Sequence, residues 1–200
     1  MSNYENIIQD FPKRCTDILT TFVKQAKEID REVTLMLAVV SASLVIPYER
    51  LGDFENPSGD ARKYVEAKSK FANECGNKVF LDWVMGEESK SWKFTELDLN
   101  AVKQPPESWL KNIQPLPKEG KVGKVGYVLS HLRNAFAHGN IFTLAESNQI
   151  KSLIFLCERK NNNTVEGYNL IEVLPEELYD FLEKWIQFLA SLNLSEPKVD

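Results

Sequence analysis

The stretch VGKVGYVLSHLRNAFAHGN, from Val122 to Asn140, carries both the clearest helical pattern and the densest chemistry of the chain. Val125, Leu129, Leu132 and Phe136 recur at spacings of four, three and four residues, the stripe of a helix with one face on a core. The spacing predicts a helix over Val122 to His138, stopped by Gly139, a residue that takes the left-handed conformation at little cost. Arg133, Asn134 and His138 ride on that helix. Arg133 brings a permanent cation whose planar donors match phosphate oxygens. His138 brings a group that exchanges a proton near neutral pH. The chain has two histidines, His131 and His138, so acid–base chemistry has few other seats. The set fits work on a phosphodiester.

Helical geometry constrains how the set can act. At 100° per residue Arg133 and His138 lie about 140° apart on the wheel. They do not form a compact pair within one straight helix. Either Gly139 redirects His138, or a second copy of the chain supplies the missing partner, which makes dimerisation part of the mechanism. His131, Asn134 and His138 share another face.

The pattern Arg-Asn-x-x-x-His, with an apolar helix before it and His-Gly-Asn-Ile leading out of it, resembles the RNA-active motif of the HEPN superfamily (higher eukaryotes and prokaryotes nucleotide-binding domains). The resemblance is carried by Val122 to Leu194, and the N-terminal helices match in pattern only. It implies an α-helical bundle that dimerises and brings two motifs together. It also implies a metal-independent endoribonuclease, since many relatives act as toxins or as effectors of abortive infection and CRISPR defence. On this resemblance Arg133, Asn134 and His138 are the catalytic residues, with Asn134 positioning the histidine or the RNA backbone. RNA and a second copy are the implied partners, an antitoxin protein is a further one, and neither cofactor nor metal is called for. Some relatives are neutralised by modification of a tyrosine two residues beyond the histidine; Asn140 stands there in this chain, which puts that route in doubt. Two other classes compete: a non-catalytic RNA- or nucleotide-binding module, and a structural dimer whose motif only buttresses helices.

Residues around the motif extend the candidate RNA surface to Lys121, Lys124, Tyr127 and His131. Gly120 to Gly126 lacks the Gly-Lys-Ser/Thr of a Walker loop. It precedes a helix, so its backbone N–H groups and lysines can hold a phosphate; a flexible lead-in to the helix is the plainer reading. Tyr127 fits either base stacking or an aromatic core edge, and His131 either RNA contact or a structural role. Between Lys111 and Gly139 there are five basic residues and one acid, in a chain of net charge −5. The overall balance argues against a general nucleic-acid coat protein. The local excess reads either as a phosphate-attracting patch or as a solvated loop.

The rest of the chain frames the motif. Asp10 to Asp30 reads as a helix with Ile18, Phe22, Ala26 and Ile29 near one face. Val33 to Ile46 reads as a buried helix ended near Pro47, too short and too interrupted by Thr34, Ser41 and Ser43 to be a membrane span. Leu51 to Asp60 reads as a loop, Ala61 to Cys75 as a third helix stopped at Gly76, and residues 77 to 86 as a short helix with Val79, Phe80 and Trp83. Residues 87 to 120 hold Pro105, Pro106, Pro115 and Pro117 beside Trp92, Phe94 and Trp109, the mixture expected of an ordered irregular segment with short helical turns. Ile150 to Arg159 and Val165 to Leu174 read as two strands joined by a polar loop over Lys160 to Thr164. Pro175 opens a last helix striped with Leu178, Phe181, Leu182, Trp185, Phe188, Leu189 and Leu192, and Ser195 to Asp200 is a polar tail.

These elements predict a mainly α fold, a HEPN-like helical bundle with a small C-terminal β-hairpin. They form a single domain over residues 1–200 with an irregular insertion at about 87–120. Hydrophobic content of 43% and charged content of 26% suit a folded domain rather than a disordered chain. Cys15, Cys75 and Cys157 are odd in number and widely spaced, as in reduced cytosolic proteins. The N-terminus lacks the basic and apolar parts of a signal peptide, so the expected place is the cytoplasm, with no membrane partner. Zinc-ligand spacing, Gly-x-Ser-x-Gly, a dinucleotide-binding glycine fingerprint and an acidic two-metal cluster are all missing from the sequence.

Overall fold

A computed structural model describes residues 7–51, 65–84, 91–146, 149–192 and 194. The expected loop at Leu51 to Asp60 (beyond Leu51 itself), the start of the third helix at Ala61 and the tail from Ser195 lie outside them. The chain divides into two compact units, Met1–Asn77 with Phe181–Asp200, and Lys78–Asp180.

The first unit is helical. It holds α1 (Ile7–Glu28), α2 (Glu32–Leu51), α3 (Val65–Asn77) and most of α7 (Pro175–Ala190). The inward stripe of α1 is Ile8, Pro12, Cys15 and Leu19, not the expected one. Ile18, Phe22 and Ile29 are 49%, 51% and 67% exposed. Two apolar rows overlap on this helix, and the N-terminal row is the one that the core covers. The helix ends where Asp30 adopts φ 55°, with Arg31 N–H bonded to Ala26 O at 2.7 Å.

Helix α2 does not end at Pro47 but runs on to Leu51. Proline lacks the N–H that would bond the carbonyl four residues back, here Ser43. The Trp185 indole N–H of α7 donates to that carbonyl at 2.8 Å, so the helix continues with its acceptor satisfied. At 20 residues and mean hydropathy 1.4, α2 is long and apolar enough to cross a membrane by length and composition, which corrects the shorter span expected. The same composition serves a core helix, and Val40, Leu44, Tyr48 and Leu51 are fully buried. Phe71 of α3 packs edge-on against Tyr48 at 5.8 Å and against Trp185 at 6.0 Å. The carbonyls at the end of α7, which have no partners in their own helix, accept from Gln9 (Leu189 O, 2.8 Å; Leu192 O, 2.9 Å) and from Lys70 (Ser191 O, 2.6 Å). All seven expected apolar positions are buried, six of them in α7 and Leu192 just past its end.

The second unit overturns the expected fold class. It contains a five-stranded antiparallel sheet in the order β2-β1-β5-β4-β3, so the chain has a mixed α/β fold rather than a helical bundle with a small hairpin. The strands are β1 (Lys93–Asp98), β2 (Gln114–Pro115), β3 (Ile141–Glu146), β4 (Gln149–Asn161) and β5 (Thr164–Val173). The expected hairpin is present as its centre, β4 and β5. Its loop is tighter than expected: Asn162 (φ 46°) and Asn163 (φ 65°) alone connect the strands, the positive pair that a type I′ turn needs. Strand β1 comes from the proline-rich stretch and pairs with β5 along its whole length, Lys93 opposite Glu172 through Asp98 opposite Gly167. A short helix α5 (Pro106–Trp109) follows it, and the Trp109 indole donates to Ala101 O and Gln104 O at 3.1 and 2.9 Å. Trp109 covers one face of the sheet with Leu97, Ile154, Leu156 and Leu170.

The motif helix, α6 (Val125–His138), lies against β4. Val125, Val128, Leu129, Leu132 and Ala135 are fully buried, and Phe136 packs on Phe155 at 5.3 Å. A short helix α4 (Phe80–Val84) precedes it. Val79 bridges to Lys124, with Phe80 N–H on Gly123 O at 2.8 Å and Val125 N–H on Lys78 O at 3.0 Å.

Candidate functional site

Helix α6 starts and stops for reasons that fix the motif in space. Lys124 is its N-cap in an extended conformation. Gly123 sits so close to Pro117 that a Cβ there would lie 1.9 Å from its carbonyl oxygen; only glycine fits. The glycine-rich segment is thereby pinned at Gly123 by backbone contacts. Lys121 beside it is exposed, and Lys124 is half-buried.

At the other end Gly139 has φ 68°. Asn140 N–H bonds Ala135 O at 2.9 Å and Gly139 N–H bonds Phe136 O at 3.3 Å, the Schellman closure of a helix. His138 is thus the last helical residue, and it is exposed. The helix stays regular through the motif, so the angular offset between Arg133 and His138 remains. Asn140 then enters the sheet, its carbonyl accepting Leu156 N–H at 3.0 Å.

This junction forms a pocket of about 500 Å³ lined by Asn134, His138, Asn140, Leu156, Cys157, Glu158 and Lys160. Two of the three motif residues meet there. Arg133 is not among the lining residues; it is half-buried, and its charge acts on the Cys157 thiol. Burial pushes that thiol up to about 12, against the opposing pull of the Ala135 amide and Arg133. Cys157 donates to His131 O at 3.1 Å, one turn from that amide, and stays a thiol. Sequence reasoning missed Asn140, Glu158 and Lys160. Lys160 Nζ lies 2.7 Å from the Glu158 carboxylate.

The remaining candidates are placed differently. His131 is 4% exposed, and its Nε2 is 2.9 Å from Phe155 O. A carbonyl only accepts, so Nε2 carries the hydrogen. Burial lowers the His131 pKa to about 4, against the opposing pull of that hydrogen bond. The ring is held in the core, which fits the structural one of the two roles considered for it. Tyr127 is half-buried between Phe94 (6.4 Å) and His131 (6.1 Å), and its hydroxyl accepts from Asn169 at 2.8 Å. Burial chiefly raises its pKa to about 12. Its ring is engaged inside the unit. Among the described residues no group of three His, Cys, Asp or Glu is placed to hold a metal ion.

A family model described as HEPN pEK499 p136 matches residues 1–194. No curated protein and no solved structure matches the chain.

Proposed function

This chain belongs to the HEPN pEK499 p136 family, and from that membership we propose that it is a metal-independent endoribonuclease acting as a homodimer. One observation carries the reading: Asn134 and His138, two residues of the RNA-active motif, line the same pocket at the end of α6. RNA supplies its own nucleophile. The 2′-hydroxyl attacks the adjacent phosphorus, the bond to the 5′-oxygen breaks, and a 2′,3′-cyclic phosphate remains. His138 moves the proton, either from the 2′-hydroxyl or to the departing oxygen. Asn134 holds the histidine or a phosphate oxygen by hydrogen bonding. Arg133 stabilises charge on the phosphorane-like transition state. It lies around the helix from His138, so a two-fold arrangement brings the Arg133 of one protomer to the pocket of the other. Single-stranded or looped RNA suits this chemistry, because it can reach the in-line geometry that a stacked duplex resists. Recognition of the 2′-hydroxyl separates it from DNA.

The test is cleavage of single-stranded RNA in EDTA, beside the same RNA with one 2′-deoxy substitution at the cut site. We expect cleavage of the ribose substrate only, and a loss of ~10²–10⁴-fold in His138→Ala. Cutting of the deoxy substrate, strict dependence on Mg²⁺, or full activity of His138→Ala would reject the mechanism. Tight binding without cutting under any condition would assign the chain to the non-catalytic RNA-binding class.

A further inference from the structure

More than half of the pocket lining comes from β4 rather than from the motif. Strand β3 leaves β4 at Asn140, whose carbonyl takes the Leu156 amide. Beyond that point β4 runs on to Asn161 with β5 on its other side. In an antiparallel strand the N–H and C=O of alternate residues point to the same side. The amides of Glu158 and Lys160 therefore point, like that of Leu156, to the side that β3 has left. The pocket opens on this side, between the strand edge and the end of α6. Its cation is Lys160, since Arg133 does not line it. Lys160 already holds an anionic oxygen, that of Glu158 at 2.7 Å, with both side chains about half in solvent.

We propose that Lys160 and the edge amides of Glu158 and Lys160 form the phosphate-holding wall of this pocket, and that Glu158 is a resident counter-ion displaced by the RNA phosphate. The inference rests on the RNA reading above and deepens it by naming the cation that meets the backbone within one protomer. The ligand class is the phosphodiester of single-stranded RNA. Its anionic oxygens accept from an ammonium and from backbone N–H groups alike, as most phosphate contacts do. Glu158 sets a threshold: a single stray anion must compete with a tethered carboxylate, whereas a polyanion engages Lys160 and its neighbours together.

The experiment is an anisotropy titration in EDTA with a fluorescent single-stranded RNA of 2′-O-methyl riboses, which has no free nucleophile, over a series of salt concentrations. Lys160→Ala is expected to weaken binding about tenfold and to flatten the logarithmic salt slope by about 0.7. Lys160→Arg keeps the affinity. Glu158→Gln strengthens binding about two- to fivefold, the range of a surface ion pair. The opposite signs of the two effects are the signature. Equal binding by Lys160→Ala and the unaltered protein overturns the proposal, as does Glu158→Gln weakening binding as much as Lys160→Ala. An unaltered protein that does not bind this RNA overturns both the proposal and the RNA reading. The expected binding pattern without cleavage of ordinary RNA supports the wall and rejects the nuclease. Cleavage by Lys160→Ala with unchanged KM rejects the wall and keeps the nuclease. Both side chains are on the surface, and unchanged melting curves of the variants confirm that folding is intact.

Discussion

His131 and His138 are seven residues apart on one helix face, and the fold gives them opposite fates. His131 lies where α6 is pressed onto Phe155; His138 lies where Gly139 has ended the helix. The buried ring makes stability depend on pH. Its folded pKa of about 4 is below its ordinary 6.5. Between these values the unfolded chain binds a proton that the folded chain refuses. The stabilisation is therefore complete above pH 6.5 and is lost as pH falls toward 4, by on the order of 3 kcal/mol. Urea unfolding at pH 7.5, 6, 5 and 4.5 should show a steeper acid loss in the unaltered protein than in His131→Gln. Parallel pH dependences would mean that the ring is not held neutral. The sequence put both histidines on a face apart from the core stripe, yet His131 is buried and only His138 is exposed; spacing alone could not say which would be covered. That depends on where β4 crosses the helix. Glu158 and Lys160 were illegible for the same reason. They stand 20 residues or more beyond His138 in the chain, and only strand pairing carries them back to it.

Whether an element continues or stops depended on partners that local patterns do not contain. Pro47 reads as a helix end because it removes a donor, yet Trp185 supplies that donor from α7. The exchange predicts a coupling between two distant residues. Trp185→Phe should cost about 1–3 kcal/mol, the range for leaving a buried carbonyl unmet. Pro47→Ala restores a backbone N–H to the same carbonyl, so Trp185→Phe should cost markedly less in that background. Denaturation of the four proteins in the cycle measures the coupling; additive costs would refute it. Helix stops show the complementary case. Gly139 has open space around its missing Cβ but φ 68°, so Gly139→Ala should lose stability only through backbone strain, about 1–2 kcal/mol. A calorimetric melt checks this, and an unchanged midpoint would contradict it. Strands were the least legible elements. In β1, Lys93-Phe94-Thr95-Glu96-Leu97-Asp98 carries only modest strand propensity among prolines and helical turns, and β2 is two residues long. The status of β1 comes from registration on β5, and that of β2 from pairing with β1, a packing outcome rather than a local preference. The long apolar runs of β4, β5 and α7 needed no such help.

At the scale of the whole molecule, the offset between Arg133 and His138 on a regular helix becomes a question of assembly. A site that draws its arginine from one protomer and its histidine from the other behaves distinctively when inactive variants are mixed. Arg133→Ala and His138→Ala are each expected to be inactive as homodimers. After unfolding and refolding together in equal amounts, half of the dimers are mixed. In each mixed dimer one composite site combines the intact Arg133 with the intact His138, and the other site has lost both. The mixture should therefore recover about a quarter of the unaltered activity under two-fold symmetry. If both residues act within one protomer, every site in every dimer lacks one of them and the mixture stays silent. The same experiment weighs the alternative that Lys160 alone serves as the pocket's cation. In that case Arg133→Ala would retain most of its activity before any mixing. A sedimentation measurement at micromolar concentration fixes the premise, since a chain that is monomeric there while cleaving RNA at full rate would remove the shared site altogether.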